Sequence, residues 1–283
     1  MKQDELRRLV QKVKKLPTIP VIMDSILKLL KDEDASTDKL AEIISRDQAI
    51  ASKVLSIANS AYYSLSQNVT SISHAISLLG FTAVKNIAIG TSAFSYLSYK
   101  GSGIDLKDLW LHSIGTAMAS EQLGKKVPSA NPETAFIGGL LHDIGKLILI
   151  NIFKEQYKEV VDMAREKSCS INFAEDKVFG ITHISAGEWL CEKWHLPEEM
   201  LLSVKHHKTP WLSDGNMQLP SIVYLANNIV KRERIGFGGD WFTPKIDDRV
   251  FKILNLRDAD ISEVSSFMIM EKRNIANILT IWE

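Results

Sequence analysis

The residues of this chain best suited to chemistry lie in Phe136-Ile-Gly-Gly-Leu-Leu-His142-Asp143-Ile-Gly-Lys146-Leu-Ile-Leu. An imidazole and a carboxylate side by side in an apolar run are both metal-ligand types, and burying them is costly unless something satisfies them. A bound cation does so; a hydrogen-bonded pair between helices is the plainer reading. Lys146 follows one helical turn on and either serves the same site or snorkels from its helix. Just upstream, Asn131-Pro132-Glu133 reads as a helix start: an N-cap, a proline at the first helical position and an acid in the first turn. The spacing predicts one central helix over 133–152 with the His-Asp pair about three turns in. Gly138 and Gly139 would let another element approach closely.

The chain has 283 residues, room for one large domain or two moderate ones. Hydrophobic residues at 45% and charged residues at 24% are those of an ordinary globular protein. Thirty-four basic residues balance 34 acidic ones, so no global charge steers the chain to nucleic acid or to an anionic membrane. Cys169 and Cys191 form no Cys-x-x-Cys pair, which argues against a zinc knuckle or a disulfide framework and for a reducing compartment. The charged N-terminus does not read as a signal peptide, and the longest apolar run is interrupted by His142, Asp143 and Lys146. No membrane span and a cytoplasmic location are therefore expected.

The remaining elements read as helices. Residues 1–15 form a polar one, stopped by Leu16-Pro17-Thr18-Ile19-Pro20. Helical spacing follows over 21–30, after a Ser36 or Thr37 cap, over 47–59, over 71–79 and over 81–94, the last two separated at Gly80. Tyr99-Lys-Gly-Ser-Gly103 is the clearest linker. It divides an N-terminal helical bundle, 1–103, from a second helical region, 104–283. The second region holds helices at 108–123, 133–152, 157–165, from Thr182 through Trp194, 198–207, from Leu219-Pro220 through 229, and 261–281. Gly236-Phe-Gly-Gly239 reads as a flexible loop, and the apolar cluster Phe267 to Met270 as core packing. The fold class is all-α, in two helical lobes.

Several strings in fixed order carry a resemblance. They are Leu16-Pro17-x-x-Pro20, Ala58-Asn59-Ser60-Ala61-Tyr62, Ser73-x-Ala75-Ile76-x-Leu78-Leu79-Gly80, Gly139-Leu-Leu-His142-Asp143-Ile-Gly-Lys146, and Trp194-x-Leu196-Pro197 followed by His206-His207. Together they resemble the HDOD family, the HD-related output domains, within the HD superfamily of metal-dependent phosphohydrolases. The resemblance covers roughly 16–235 and implies a two-lobe helical module of bacterial signalling, many of whose members have lost catalytic residues.

By resemblance, His112, His142, Asp143, His183, His206 and His207 fall on metal-ligand positions. Lys146 falls on a lysine near the substrate phosphate and, with Asp143, on the catalytic pair. Asp108 lies four residues before His112, on the same helical face, where related enzymes with an extra metal carry an acid; as a helix-start acid it has a plainer role. The late-helix aspartate of HD enzymes is replaced by Asn227 in Tyr224-Leu-Ala-Asn227-Asn228, which offers an amide oxygen but no charge. No Gly-Tyr-Pro follows His206-His207, which argues against the cyclic di-GMP phosphodiesterases of that class. Such a ligand set suits one or two divalent ions of iron, manganese, zinc or nickel. A bound ion of this kind lowers the pKa of its water, and two clamp the oxygens of a phosphoester. Two readings follow: a signalling output module with a retained metal site, little or no turnover, a signalling partner in trans and a nucleotide or phosphate ligand; or a phosphohydrolase acting on a nucleotide or cyclic dinucleotide.

Overall fold

A computed structural model of the chain describes residues 19–29, 32, 35–59, 63, 65, 67–95, 103–241 and 243–277. These described residues are α-helical with two short 3-10 turns and no strand. They fall into two compact units, one over 19–95 together with 271–277, the other over 103–270. The helix expected over 1–15, Leu16-Pro17-Thr18, the string Ser60-Ala61-Tyr62 and most of the linker at 99–103 lie outside the described residues.

The smaller unit holds α1 (Val21–Leu29), α2 (Thr37–Ser45), α3 (Gln48–Ala58), α4 (Ile72–Leu79) and α5 (Phe81–Ser95). Their starts are set by side chains that accept from otherwise orphaned amides: Ser36 from Lys39, Asp47 from Ala49 and Ile50, Ser71 from His74. Ile26, Leu40, Ile44, Val54, Ala75 and Val84 are fully buried and form the core. Asn59, part of the Ala58–Tyr62 string that carries the resemblance, is a clamp. Its Nδ2 donates to the Val69 carbonyl at 2.8 Å and its Oδ1 accepts from the Val69 amide at 2.7 Å, which closes the segment between α3 and α4.

The larger unit is built around α6 (Leu106–Lys126), which packs on α7 (Pro132–Leu141) and α13 (Gln218–Arg232). Next along the chain are α8 (Ile144–Phe153), α9 (Tyr157–Glu166), α10 (Ile171–Phe179), α11 (His183–Lys193) and α12 (Glu198–His206). Helices α14 (Asp248–Leu254) and α15 (Asp258–Asn277) complete the order. As the sequence indicated, Asn131 caps α7 by accepting from the Glu133 and Thr134 amides, with Pro132 at the first position. The short helices α10 and α14 were not anticipated.

The single central helix expected over 133–152 is instead two, and the break falls at His142-Asp143. Its cause is close packing on either side. A Cβ at Gly139 would lie 2.5 Å from Ser120 Oγ and 2.6 Å from the Thr116 carbonyl on α6. One at Gly145 would lie 1.8 Å from the His183 carbonyl on α11. The two halves are pressed onto different neighbours, and a tight turn, with the Lys146 amide on the Asp143 carbonyl at 2.9 Å, joins them. The Phe267–Met270 cluster also departs from expectation. Met268 is in the core, whereas Ile269 and Met270 are 55% and 70% exposed. Adjacent helical residues point about 100° apart, so a run of four apolar residues cannot all face one core.

By length and composition alone the stretch 132–166 passes for a membrane-crossing helix, but 83% of its most apolar window is buried inside the fold. Core position accounts for its composition.

Gly145→Ala is the sharpest test of this packing. Neither backbone can yield easily, so overpacking should destabilise the larger unit by about 3 kcal/mol. Urea unfolding checks it; an unchanged midpoint would contradict the α8–α11 contact.

Candidate metal centre

Each helix around the break brings one group to it. His112 comes from the interior of α6, His142 and Asp143 from the break itself, and His183 from the first position of α11. His207 comes from the residue just past α12. His112, His142, Asp143, His183 and His207 are essentially inaccessible to solvent. Thr182 caps α11 by accepting from the Ser185 amide, as the sequence indicated, and so fixes where His183 starts.

The Asp143 carboxylate is the meeting point. Its Oδ2 lies 3.1 Å from His142 Nε2 and 3.6 Å from His112 Nε2. Its Oδ1 lies 3.4 Å from His183 Nε2 and 3.6 Å from His207 Nε2. Two triads thus share one carboxylate, and within each the ligand atoms lie within 4.8 Å of one another. Ligands about 2.1 Å from a common ion sit roughly 3.0–3.5 Å apart, close to what is seen.

The ring tautomers decide what these contacts are. His142 Nδ1 lies 2.7 Å from the Gly139 carbonyl and His207 Nδ1 2.8 Å from the Val204 carbonyl. A carbonyl only accepts, so Nδ1 carries the proton and Nε2 presents a bare lone pair. His183 Nδ1 lies 2.6 Å from Glu175 Oε2, with the same result. Burial, the largest influence, pushes the His112, His183 and His207 imidazoles down from their usual range, which keeps them neutral. Among the described residues, the four Nε2 atoms and Asp143 Oδ1 are buried without a hydrogen-bond partner. In the His142, His183 and His207 rings, lone pairs aimed at a carboxylate are unfavourable unless a cation lies between them, so the residues fit a divalent metal ion.

Burial alone would raise the Asp143 carboxyl, but the Lys146 ammonium beside it holds it well below the usual carboxylate range. Lys146 Nζ donates to Asp143 Oδ2 at 2.5 Å and to the Gly238 carbonyl at 2.6 Å. The loop at 236–239, expected to be flexible, is instead seated on the site, and Asp240 follows it. The Phe237 amide donates to the Asp108 carbonyl at 3.0 Å. A Cβ at Gly236, where φ is +62°, would lie 2.3 Å from His112 N, and one at Gly238 would lie 2.8 Å from the His112 ring. Asp240 then pairs with Lys208 and Lys231 and accepts from the Ile171 amide at 2.7 Å. Burial pushes the Lys208 ammonium down to about 8.

Asp108 and His206 are not brought into either triad. Asp108 serves the site through its main-chain carbonyl, under the 236–240 segment. His206 and His207 differ by about 100° in direction, so both cannot face one point; His207 takes the interior. Asn227 is buried, its Oδ1 has no partner among the described residues, and it shares a cavity wall with His207. His74 and His195 lie outside the cluster.

Three groups were missed by sequence reasoning. Glu175 is wholly buried on α10, accepts from Tyr157 Oη at 2.6 Å and from the His183 amide at 2.7 Å, and orients the His183 ring. The Gly238 carbonyl and the Asp240 carboxylate are the others. Only Glu175 left a signal: an acid among Ile171, Ala174 and Phe179 at helical spacing.

Residues 16–210 match the family model of the HDOD domain. An uncharacterized protein of Treponema pallidum (strain Nichols) is 22% identical over 225 residues, which are 79% of this chain and 44% of that protein. The chain spans less than half the length of the curated relatives it matches. The solved structure of an HDOD domain protein with unknown function from Geobacter sulfurreducens superposes with a TM-score of 0.81 at 23% identity, covering 98% of this chain and 96% of that one. A candidate phosphohydrolase from Shewanella amazonensis SB2B superposes with a TM-score of 0.75 at 22% identity, covering 97% and 98%. These likenesses show a common fold.

Glu175→Gln removes the charge that orients His183 and keeps the volume. Metal affinity should fall by roughly 10–100-fold while the helical circular dichroism is unchanged; competition with a chromophoric chelator measures it.

Proposed function

The chain belongs to the HDOD domain family, and on that premise we propose that it is a signal-transduction output module with a retained divalent-metal centre and little or no turnover. The observation that carries this reading is Lys146. Its ammonium is committed to Asp143 Oδ2 and to a main-chain carbonyl, so it is not free to take up a phosphate. Two further features support it. Asn227 stands where HD enzymes carry an acid, which lowers the negative charge available to a metal. The four histidines and Asp143 are closed off from solvent.

In this reading His183, His207 and Asp143 Oδ1 hold the first ion, because no lysine competes for that oxygen. His112, His142 and Asp143 Oδ2 form the second position, which Lys146 contests. Iron, manganese, zinc and nickel all suit imidazole with carboxylate. Glu175 holds the His183 ring in its ligating tautomer. The partner is a signalling protein acting in trans.

A second reading, a metal-dependent phosphohydrolase for a nucleotide or cyclic dinucleotide, is favoured by one feature. Asp143 turns one oxygen to each pair of histidines, an arrangement suited to two ions. Bound divalent ions supply Lewis acidity toward phosphate oxygens. For that reading Lys146 must first leave the Gly238 carbonyl.

Elemental analysis of protein purified without a histidine tag, with turnover assayed on a generic phosphodiester and a cyclic dinucleotide, separates the two. Near-stoichiometric metal, lost in His142→Ala, with background turnover is expected. Turnover above background would establish the phosphohydrolase instead, and no metal in an anaerobic, metal-replete preparation would sink the centre. Asn227→Asp should raise metal affinity about tenfold, or about 1.4 kcal/mol; no gain would count against Asn227 facing the ion.

A further inference from the structure

Lys146 and Gly238 stand 92 residues apart in the chain, yet the Lys146 ammonium is shared between the Gly238 carbonyl and Asp143 Oδ2. The ammonium is wholly buried, so an acceptor supplied by another segment settles where it stays. Whatever holds that acceptor in place therefore acts on the metal centre.

The segment 236–240 is fixed on both sides of Gly238. On one side the Phe237 amide donates to the Asp108 carbonyl at 3.0 Å. On the other, the buried Asp240 carboxylate accepts from the Ile171 amide at 2.7 Å and pairs with Lys231 and, at 3.4 Å, with Lys208. Lys208 reaches on to Asn172 Oδ1 at 3.2 Å. Asp240 is thus fastened to the start of α10, the helix whose Glu175 orients His183. Trp241 follows, half exposed, with its ring 4.8 Å from that of Phe237.

This hold on Lys146 bears on the two ion positions unequally. Asp143 Oδ2 belongs with His112 and His142, and Oδ1 with His183 and His207. An ammonium 2.5 Å from Oδ2 neutralises that oxygen and repels a cation arriving there. Oδ1 has no hydrogen-bond partner among the described residues.

We propose that 236–240 is a strap that keeps the second ion position closed: Asp240 is its positioning residue, the Gly238 carbonyl holds Lys146 on Asp143 Oδ2, and lifting the strap opens the position. Once the carbonyl moves away, the flexible four-carbon stem lets the ammonium follow it off Oδ2. The strap deepens the output-module reading and rests on it, as the means by which ion occupancy of the centre is regulated. A segment that only covered the core would, when loosened, weaken both positions rather than strengthen one.

Manganese titration of the full chain, with free ion followed by electron paramagnetic resonance, resolves the two binding steps. Asp240→Asn should strengthen the second step about tenfold and leave the first in place. Trp241→Ala, a milder loosening at an exposed position, should act in the same direction by less, and it carries the test if Asp240→Asn fails to fold. In a Lys146→Met background, where the second position is already open, adding Asp240→Asn or Trp241→Ala should change the second step by less than about twofold. The proposal is overturned if both strap variants leave the second step where it is in the unaltered chain, or if their gains persist undiminished without Lys146. A first step present with an unmoved second step sinks the strap alone. No manganese bound by any variant sinks the metal centre, and the strap with it.

Discussion

One buried carboxylate governs the larger unit. Asp143 is ionised in the protein interior, and an isolated charge there is prohibitive. Everything near it answers that problem. Lys146 supplies a full positive charge, and four imidazoles arrive from α6, from the break between α7 and α8, and from α11 and α12. The helices are thus held in mutual position by more than apolar packing, since each must deliver its group to the same point. The close contacts at Gly139 and Gly145 permit this, because only bare backbone lets α7 and α8 approach their neighbours on both sides of the pair.

The imidazoles are locked by two kinds of support. His142 and His207 each use a carbonyl three residues earlier, so their tautomer follows from local helical geometry. His183 depends on Glu175, another buried acid, which is itself secured by Tyr157 and a main-chain amide. Next to this lies a second ionic group, Asp240 with Lys208 and Lys231. The two groups are joined through the chain itself, because Gly238 contacts Lys146 and Asp240, two residues on, holds the other lysines. Both groups are therefore tied to one short segment of chain.

The buried cluster was legible because its residue types are rare inside apolar helices and recur in a recognisable order. His112, His142, Asp143, His183 and His207 all meet, although they span 96 residues of sequence. Other features left no such trace. The break at His142-Asp143 is invisible to periodicity, since apolar residues continue through it and its cause lies in Thr116, Ser120 and His183 on other helices. His206 passed as a ligand because a motif lists neighbours without saying which way each points. The 236–239 loop read as loose because glycines signal freedom; here they allow close approach instead. Glu175 left one weak sign, an acid at helical spacing among apolar residues, in a helix too short for it to stand out.

The bond from Lys146 to the Gly238 carbonyl is made by the main chain. No side-chain replacement at position 238 can delete that acceptor; it can only push it away, by crowding the His112 ring. Sequence drift in the segment therefore has two outcomes, an intact latch or a displaced backbone, with little between them. Heritable variation at this point is switch-like, and relatives that differ here should differ in kind rather than by degree in how tightly their lysine is held.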